Sequence, residues 1–106
     1  MIRIVDSLWN VVYVSPYDSV LLKNGTKYTL GCCDNNVRTI YIACNLSKCE
    51  NKIVLVHELT HAFMFELWIN IPYEQEERVC NLVAEYGEDI FDIVDMLSEE
   101  IEKAMA

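Results

Sequence analysis

Ser47–Trp68, which reads SKCENKIVLVHELTHAFMFELW, is the stretch that decides the fold. Ser47 with Glu50 three residues later makes a capping box, which is typical of a helix N-terminus. The apolar residues that follow recur nearly all the way round a helix, and this pattern predicts a central, buried helix. Its polar exceptions include His57-Glu58-Leu59-Thr60-His61, an H-E-x-x-H motif that uses both histidines of the chain.

The motif has the spacing of a metal site. Residues four apart lie on one face of a helix, so the imidazoles of His57 and His61 can bind one zinc ion together. Glu58 lies about 100° round the helix from His57, and it can serve as general base for a zinc-bound water. Burial of these three side chains without a partner would be costly, and a metal ion is the simplest partner for all of them.

The third ligand is predicted to be a carboxylate. A catalytic zinc ion usually has three protein ligands and one open position, and no histidine follows His61. We choose Glu77, because Asn81 lies on the same helical face and can orient a ligand histidine. The alternatives left open on this helix are Glu76, which is the main rival, and then Glu74 and Glu85.

The N-terminal half of the chain predicts strands and turns. The segments 9–14, 26–33 and 38–43 are rich in β-branched and aromatic residues, and Gly31 is a candidate for a bulge or a close approach. Turns are predicted at Asn24-Gly25 and at 34–36. We therefore expect a small antiparallel sheet of about three strands, in which 38–43 pairs back on the preceding strand.

The C-terminal part predicts helices. Asn70-Ile71-Pro72 breaks the central helix, a second helix runs from about residue 73 until Gly87 can end it, and a third runs from Asp89 to about Ala104. The predicted fold class is α+β, with about three strands packed on about three helices and the H-E-x-x-H motif on the central one. A chain of 106 residues that is 53% hydrophobic is expected to form a single domain, 1–106.

Charge and cysteine usage narrow the function. The net charge is −9, with the acids concentrated in 74–106, which argues against direct nucleic-acid binding and allows a basic protein partner. No apolar run approaches the ~18 residues of a membrane span, and a signal peptide is lacking, so we expect a cytoplasmic location without a membrane partner. The chain has five cysteines, an odd number, and no C-x-x-C motif. This usage predicts free thiols. The candidates for a thiol near the active site are Cys44 and Cys80.

These motifs resemble those of the ImmA/IrrE-type metallopeptidases, and most closely the short stand-alone members found in bacteriophages and prophages. The resemblance is carried by His57 to Ala62 and by a second motif from Glu77 to Ala84, in which Cys80 fills a small-residue slot before Asn81. Thr39-Ile40-Tyr41-Ile42 matches the family's edge strand. The similarity covers about residues 9–90 and departs from the family at Val79, where many members carry a second glutamate.

The resemblance implies a minimal zincin-like fold and a gluzincin-like, zinc-dependent endopeptidase that cuts a protein substrate such as a phage or mobile-element repressor. His57, His61 and Glu77 would bind zinc, and Glu58 would be the catalytic base. We expect the edge strand around 38–43 to pair with an extended substrate. The candidates for an oxyanion stabiliser are Tyr41, Tyr73 and Tyr86.

Two other interpretations stay open. A catalytically silent binding module with this fold would act on a host or phage protein through its acidic surface. A structural zinc protein would have four protein ligands, with Cys44 or Cys80 as the fourth.

Overall fold

The computed structural model describes residues 1–105 and confirms the α+β class. A four-stranded sheet has the order β1-β2-β6-β5, where β1 is Ile2–Ile4, β2 is Ser7–Val14, β5 is Gly31–Asp34 and β6 is Thr39–Ala43. A separate two-stranded sheet pairs β3 (Leu22–Lys23) with β4 (Lys27–Tyr28). Helices α1 (Lys48–Glu66) and α2 (Tyr73–Met105) complete the structure.

The sheet is mixed, so the prediction of an antiparallel sheet of about three strands is wrong. Strand β6 is antiparallel to β5, as predicted, but it runs parallel to β2, with Asn10 opposite Thr39 and Val14 opposite Ala43. Parallel neighbours need a long connection. Here the chain between β2 and β6 supplies it with a 3₁₀ turn (Ser19–Leu21), the β3–β4 hairpin and β5.

Strand β6 lies in the middle of the sheet, so the prediction that 38–43 is an edge strand is also wrong. It is flanked by β2 and β5, and Ile40 and Ile42 are both 0% exposed. The edge strands of this sheet are β1 and β5. An extended ligand can therefore add to this sheet only along β1 or β5.

The predicted strand 26–33 is divided between the two sheets. The Asn24-Gly25 turn is confirmed, with both residues in the left-handed region, and it connects β3 to β4. At Thr29 the chain bends away, because the main-chain N–H of Thr29 donates to the carbonyl of Leu21 (2.8 Å) and its hydroxyl lies 2.9 Å from the carbonyl oxygen of Gly31. Strand β5 then starts at Gly31 in the other sheet.

Helix α1 has the predicted boundaries. The capping box is present, because Ser47 Oγ accepts from the N–H of Glu50 and the Glu50 carboxylate accepts from the N–H of Ser47. At the other end Trp68 adopts a left-handed φ of 58°, and the N–H of Ile69 donates to the carbonyl of Met64, a normal way to end a helix. The predicted break at 70–72 is confirmed, and α2 begins directly after Pro72.

Helix α1 packs on the sheet and closes the core. The buried cluster consists of Ile4, Trp9, Ile40, Ile42 and Ala62. A polar contact fixes the end of α1 to this sheet: the Glu66 carboxylate, whose side chain is 8% exposed, accepts from Arg38 Nε (2.6 Å), Ser7 Oγ (2.8 Å) and Trp9 Nε1 (3.0 Å). The hydrogen bond from Arg38 is the main cause that lowers the pKa of Glu66, and burial opposes it.

Helix α2 is one continuous helix, so the prediction of two helices separated at Gly87 is wrong. Gly87 stays helical, since an interior glycine costs a helix only about 1 kcal/mol relative to alanine. The antiparallel packing of α1 against α2 is marked at one end by an ion pair between Lys52 and Glu88. Every residue from Glu88 to Met105 is exposed. Neither helix of residues 1–105 has an apolar stretch long enough to cross a membrane.

Candidate metal centre

The predicted site residues meet in one cleft of about 640 Å³. Its walls are β5, α1, the first turns of α2 and the β3 segment. Helix α1 contributes His57, Glu58 and His61, and α2 contributes Tyr73, Glu76 and Glu77. Two consecutive helices therefore present imidazoles and carboxylates to the same space.

The two histidines face the carboxylate of Glu77. Their ring centroids are 5.0 Å apart, as expected for residues one turn apart on a helix. Glu77 Oε1 lies 2.6 Å from His61 Nε2, and Glu77 Oε2 lies 3.5 Å from His57 Nε2. Both Nε2 atoms thus face one carboxylate, and the His61 ring is in direct contact with it.

Glu76 contacts the opposite side of the His61 ring. Its Oε2 lies 2.5 Å from His61 Nδ1. Neighbouring residues of a helix point about 100° apart, and here that difference sends Glu76 and Glu77 to different nitrogens of the same imidazole. A carboxylate on the outer nitrogen fixes the tautomer and the orientation of a metal-binding histidine.

Cys80 provides a further donor beside the histidines. It is 0% exposed, and its Sγ and one ring nitrogen each of His57 and His61 all lie within 4.8 Å of one another. These three residues form a triad of metal-ligand type. Burial, followed by the nearby carboxylates of Glu77 and Glu76, raises the pKa of Cys80 to about 12.

Glu58 lies buried beside this cluster, with 6% of its surface exposed. Burial is the main cause that raises the pKa of Glu58 to about 7, while His61 lowers it and Glu77 raises it further. A carboxyl group with a pKa near neutrality suits a general base, since it is partly ionised and also able to hold a proton.

Gly31 is the point of close approach that the sequence suggested. A Cβ at this position would lie 2.7 Å from Val54 Cγ1, 3.0 Å from Glu58 Cγ and 3.3 Å from Glu58 Oε2. Strand β5 and α1 are in contact here because residue 31 has no side chain. The glycine therefore determines how near the edge strand comes to Glu58.

The other predicted candidates lie elsewhere. Glu74 and Glu85 are exposed, and so is Asn81, whose predicted contact with a histidine is made instead by Glu76. Of the tyrosines, Tyr73 lines the cleft and its hydroxyl accepts from Lys23 Nζ (2.9 Å), whereas Tyr41 and Tyr86 are not among the residues that line it.

The five cysteines are free thiols in this structure, as predicted. Cys80 is in the cluster, and Cys44 is exposed. Sequence reasoning missed Cys32 and Cys33, which line the cleft from β5. It also missed the role of Glu76, and only the position of that residue next to Glu77 hinted at it.

The donor set fits a zinc ion, because imidazole nitrogen, carboxylate oxygen and thiolate sulfur are its usual protein ligands. No protein-family model, curated protein or solved structure matches this chain. The ImmA/IrrE resemblance therefore stays a prediction that depends on the motif residues alone.

Proposed function

We propose that this protein is a zinc-dependent endopeptidase of the gluzincin type that hydrolyses a peptide bond in a protein substrate. One observation carries the proposal: the Nε2 atoms of His57 and His61 converge on the Glu77 carboxylate, with the buried Glu58 in the same cleft. His57, His61 and Glu77 would bind the metal. A purely structural site has no use for the carboxylate of Glu58.

Zinc in this position would polarise a substrate carbonyl and lower the pKa of a water molecule. Glu58 would take the proton from the attacking water and pass it to the amine that leaves. Glu76 holds His61 in place through Nδ1. The chain's own contribution is thus a fixed pair of imidazoles and a base that can carry a proton in both directions.

The substrate strand would pair with β5. The N–H of Ala43 donates to the carbonyl of Leu30, and pairs in an antiparallel ladder alternate between bonded and non-bonded. Gly31 lies opposite Ile42 and Cys33 lies opposite Ile40, and these are the non-bonded pairs of the ladder. The main-chain N–H and C=O groups of Gly31 and Cys33 therefore point to the outer edge of the sheet. The hydroxyl of Thr29 beside the Gly31 carbonyl supports this direction. An extended peptide can add to such an edge.

The test compares the wild-type protein with Glu58→Gln. Glutamine nearly keeps the shape of glutamate but cannot accept the proton, so we expect zinc binding to persist and hydrolysis to fall by about 10²–10⁴-fold. The substrates are unfolded casein and purified helix-turn-helix repressors of mobile elements, the class that the resemblance suggests. Equal cleavage by both proteins would remove Glu58 as the base.

A second candidate function is protein docking through the exposed half of α2. Here Ile90, Ile93, Val94, Leu97 and Ile101 form a stripe along one face, and each is 47–58% exposed. Seven acids accompany one base, Lys103, in residues 88–105. A second copy would place acid against acid, which costs association free energy. The stripe and its charge therefore suit a basic amphipathic helix of another protein.

A synthetic Leu/Lys amphipathic peptide tests the docking function. We expect binding that weakens with salt and is lost in the double variant Ile93→Ser/Leu97→Ser, which keeps all the charges. Asp92→Asn/Asp95→Asn is the matched variant that keeps the stripe and weakens only the charge attraction. If Ile93→Ser/Leu97→Ser binds the peptide as well as the wild type does, or if the protein dimerises through the stripe, the proposed partner is refuted.

A further inference from the structure

We propose that Cys80 is a fourth protein ligand of the same metal ion, which closes the site in its resting state. This inference rests on the metal binding that the proposed function assumes. It adds the regulation of that site: with two imidazoles, one carboxylate and one thiolate in place, no position is open for water, and hydrolysis requires Cys80 to leave.

The position of Cys80 carries the inference. It follows Glu77 by three residues on α2, so both side chains lie on the same side of that helix. Its Sγ lies within 4.8 Å of ring nitrogens of both His57 and His61. Around a tetrahedral ion, a sulfur bound at about 2.3 Å and a nitrogen bound at about 2.0–2.1 Å lie about 3.6 Å apart, so a shift of about 1 Å in the side chains brings all three to one ion.

The surroundings of Cys80 also favour a bound cation. The thiol is completely buried, and its charged neighbours are the carboxylates of Glu77, Glu76 and Glu58. Glu58 is buried, and the other two are partly exposed. Carboxylates this near one another repel unless a positive charge lies between them. Binding of the metal replaces the S–H bond with a metal–sulfur bond and releases one proton to solvent, so the ion supplies the missing charge.

A closed sphere of four protein ligands is typical of structural zinc sites, and an open position is typical of catalytic ones. This chain combines four donors with a buried carboxylate, Glu58, at the edge of the cluster. We interpret the combination as a latent enzyme. When the thiolate takes back a proton and moves away, His57, His61 and Glu77 are left as the three ligands of an open site.

Cobalt substitution tests the ligand directly. The Co²⁺-loaded wild-type chain should show an intense near-ultraviolet band from thiolate-to-cobalt charge transfer, in addition to the visible bands of a four-coordinate ion. Cys80→Ser should lose the charge-transfer band while it keeps cobalt. Cys33→Ala is the matched control, because Cys33 is another thiol of the same cleft, and this variant should keep the band.

X-ray absorption of the zinc-loaded wild type provides a measurement that needs no variant. One sulfur scatterer at about 2.3 Å is expected. If zinc or cobalt binds in a His57-dependent manner but neither sulfur scattering nor the charge-transfer band appears, the inference is overturned. A band that survives in Cys80→Ser would overturn it as well.

The peptidase assay separates this inference from the proposed function. If the thiolate ligand is present and Cys80→Ser hydrolyses protein faster than the wild type, the latent-enzyme interpretation is supported. If the ligand is present but neither protein cleaves, the inference of a closed site stands as a structural one and the proposed function fails. If metal binds without sulfur and Glu58-dependent cleavage is observed, the function stands and Cys80 is not a ligand.

Discussion

The two halves of α2 belong to one helix and have similar composition, yet they relate to the rest of the molecule in opposite ways. In the first half Glu76 and Glu77 contact the imidazole of His61 at 2.5 and 2.6 Å. In the second half, from Glu88 onward, every described residue is exposed. The difference is the presence of α1 alongside the first half. The carboxylates of this acidic helix thus contact imidazoles only where α1 lies beside it.

Single substitutions along α2 should show this contrast most strongly in zinc affinity. Glu77→Ala removes the carboxylate proposed as a direct ligand, so we expect the greatest loss among the three glutamate variants. Glu76→Ala removes only the carboxylate that orients His61, and the expected loss is about 10–100-fold. Glu85→Ala, at an exposed position of the same helix, should bind zinc as the wild type does. Competition with a chromophoric chelator gives the three affinities.

His61→Ala should have the lowest zinc affinity of all these variants, because it removes the imidazole that both glutamates contact. It should contain no zinc by elemental analysis. A larger effect for Glu76→Ala than for Glu77→Ala would reverse the roles of the two glutamates. An effect of Glu85→Ala comparable to either would remove the contrast between the two halves.

The next expected effect concerns glycines, one in the cleft and one where the halves of α2 meet. Gly31→Ala forces a methyl group against Val54 and Glu58, so we expect a loss of about 1–3 kcal/mol in the free energy of unfolding. At Gly87 an added Cβ meets only Val83 Cγ1, at 3.6 Å. Gly87→Ala should therefore stabilise the helix by about 0.5–1 kcal/mol.

Chemical denaturation of the two alanine variants measures both changes. The opposite signs are the essential result. Destabilisation by Gly87→Ala would mean that the helix is interrupted at that residue, as the sequence had suggested. An unchanged stability in Gly31→Ala would mean that β5 does not approach Glu58 as closely as the structure shows.

Local signals in the sequence were sufficient for α1 and for the histidine pair. The capping box at Ser47, the break before Pro72 and the spacing of His57 and His61 each depend on residues within one or two turns of one another. The position of Glu76 and Glu77 relative to the histidines depends on the packing of α2 against α1. The sequence restricted the third ligand to a few glutamates but did not provide that packing.

The sheet topology was not predictable in the same way. The parallel pairing of β2 with β6 joins segments separated by a hairpin and another strand, and alternation in a strand does not identify its partner. The sequence therefore predicted an edge strand at 38–43, whereas the edge strands of the sheet are β1 and β5. At Gly87 the helix continues, because a glycine inside a helix costs only about 1 kcal/mol relative to alanine.

The smallest expected effect compares an acid that has three hydrogen-bond partners with an exposed acid of α2, through the pH dependence of stability. Glu66 accepts hydrogen bonds from Arg38, Ser7 and Trp9, and its pKa is lowered, chiefly by Arg38. A carboxyl group whose folded pKa lies below its unfolded value, about 4.3, stabilises the protein above that value. The stabilisation is lost as the pH falls through the folded pKa.

In Glu66→Gln this contribution is absent, so the melting temperature should fall less between pH 6 and pH 3 than in the wild type. Asp92→Asn, on the exposed half of α2, should leave the pH dependence as it is in the wild type. Thermal unfolding of the three proteins over this range makes the comparison. A flattened profile in Asp92→Asn would give the exposed acids a stabilising role, and an unchanged one in Glu66→Gln would mean that the contact with Arg38 is not maintained in solution.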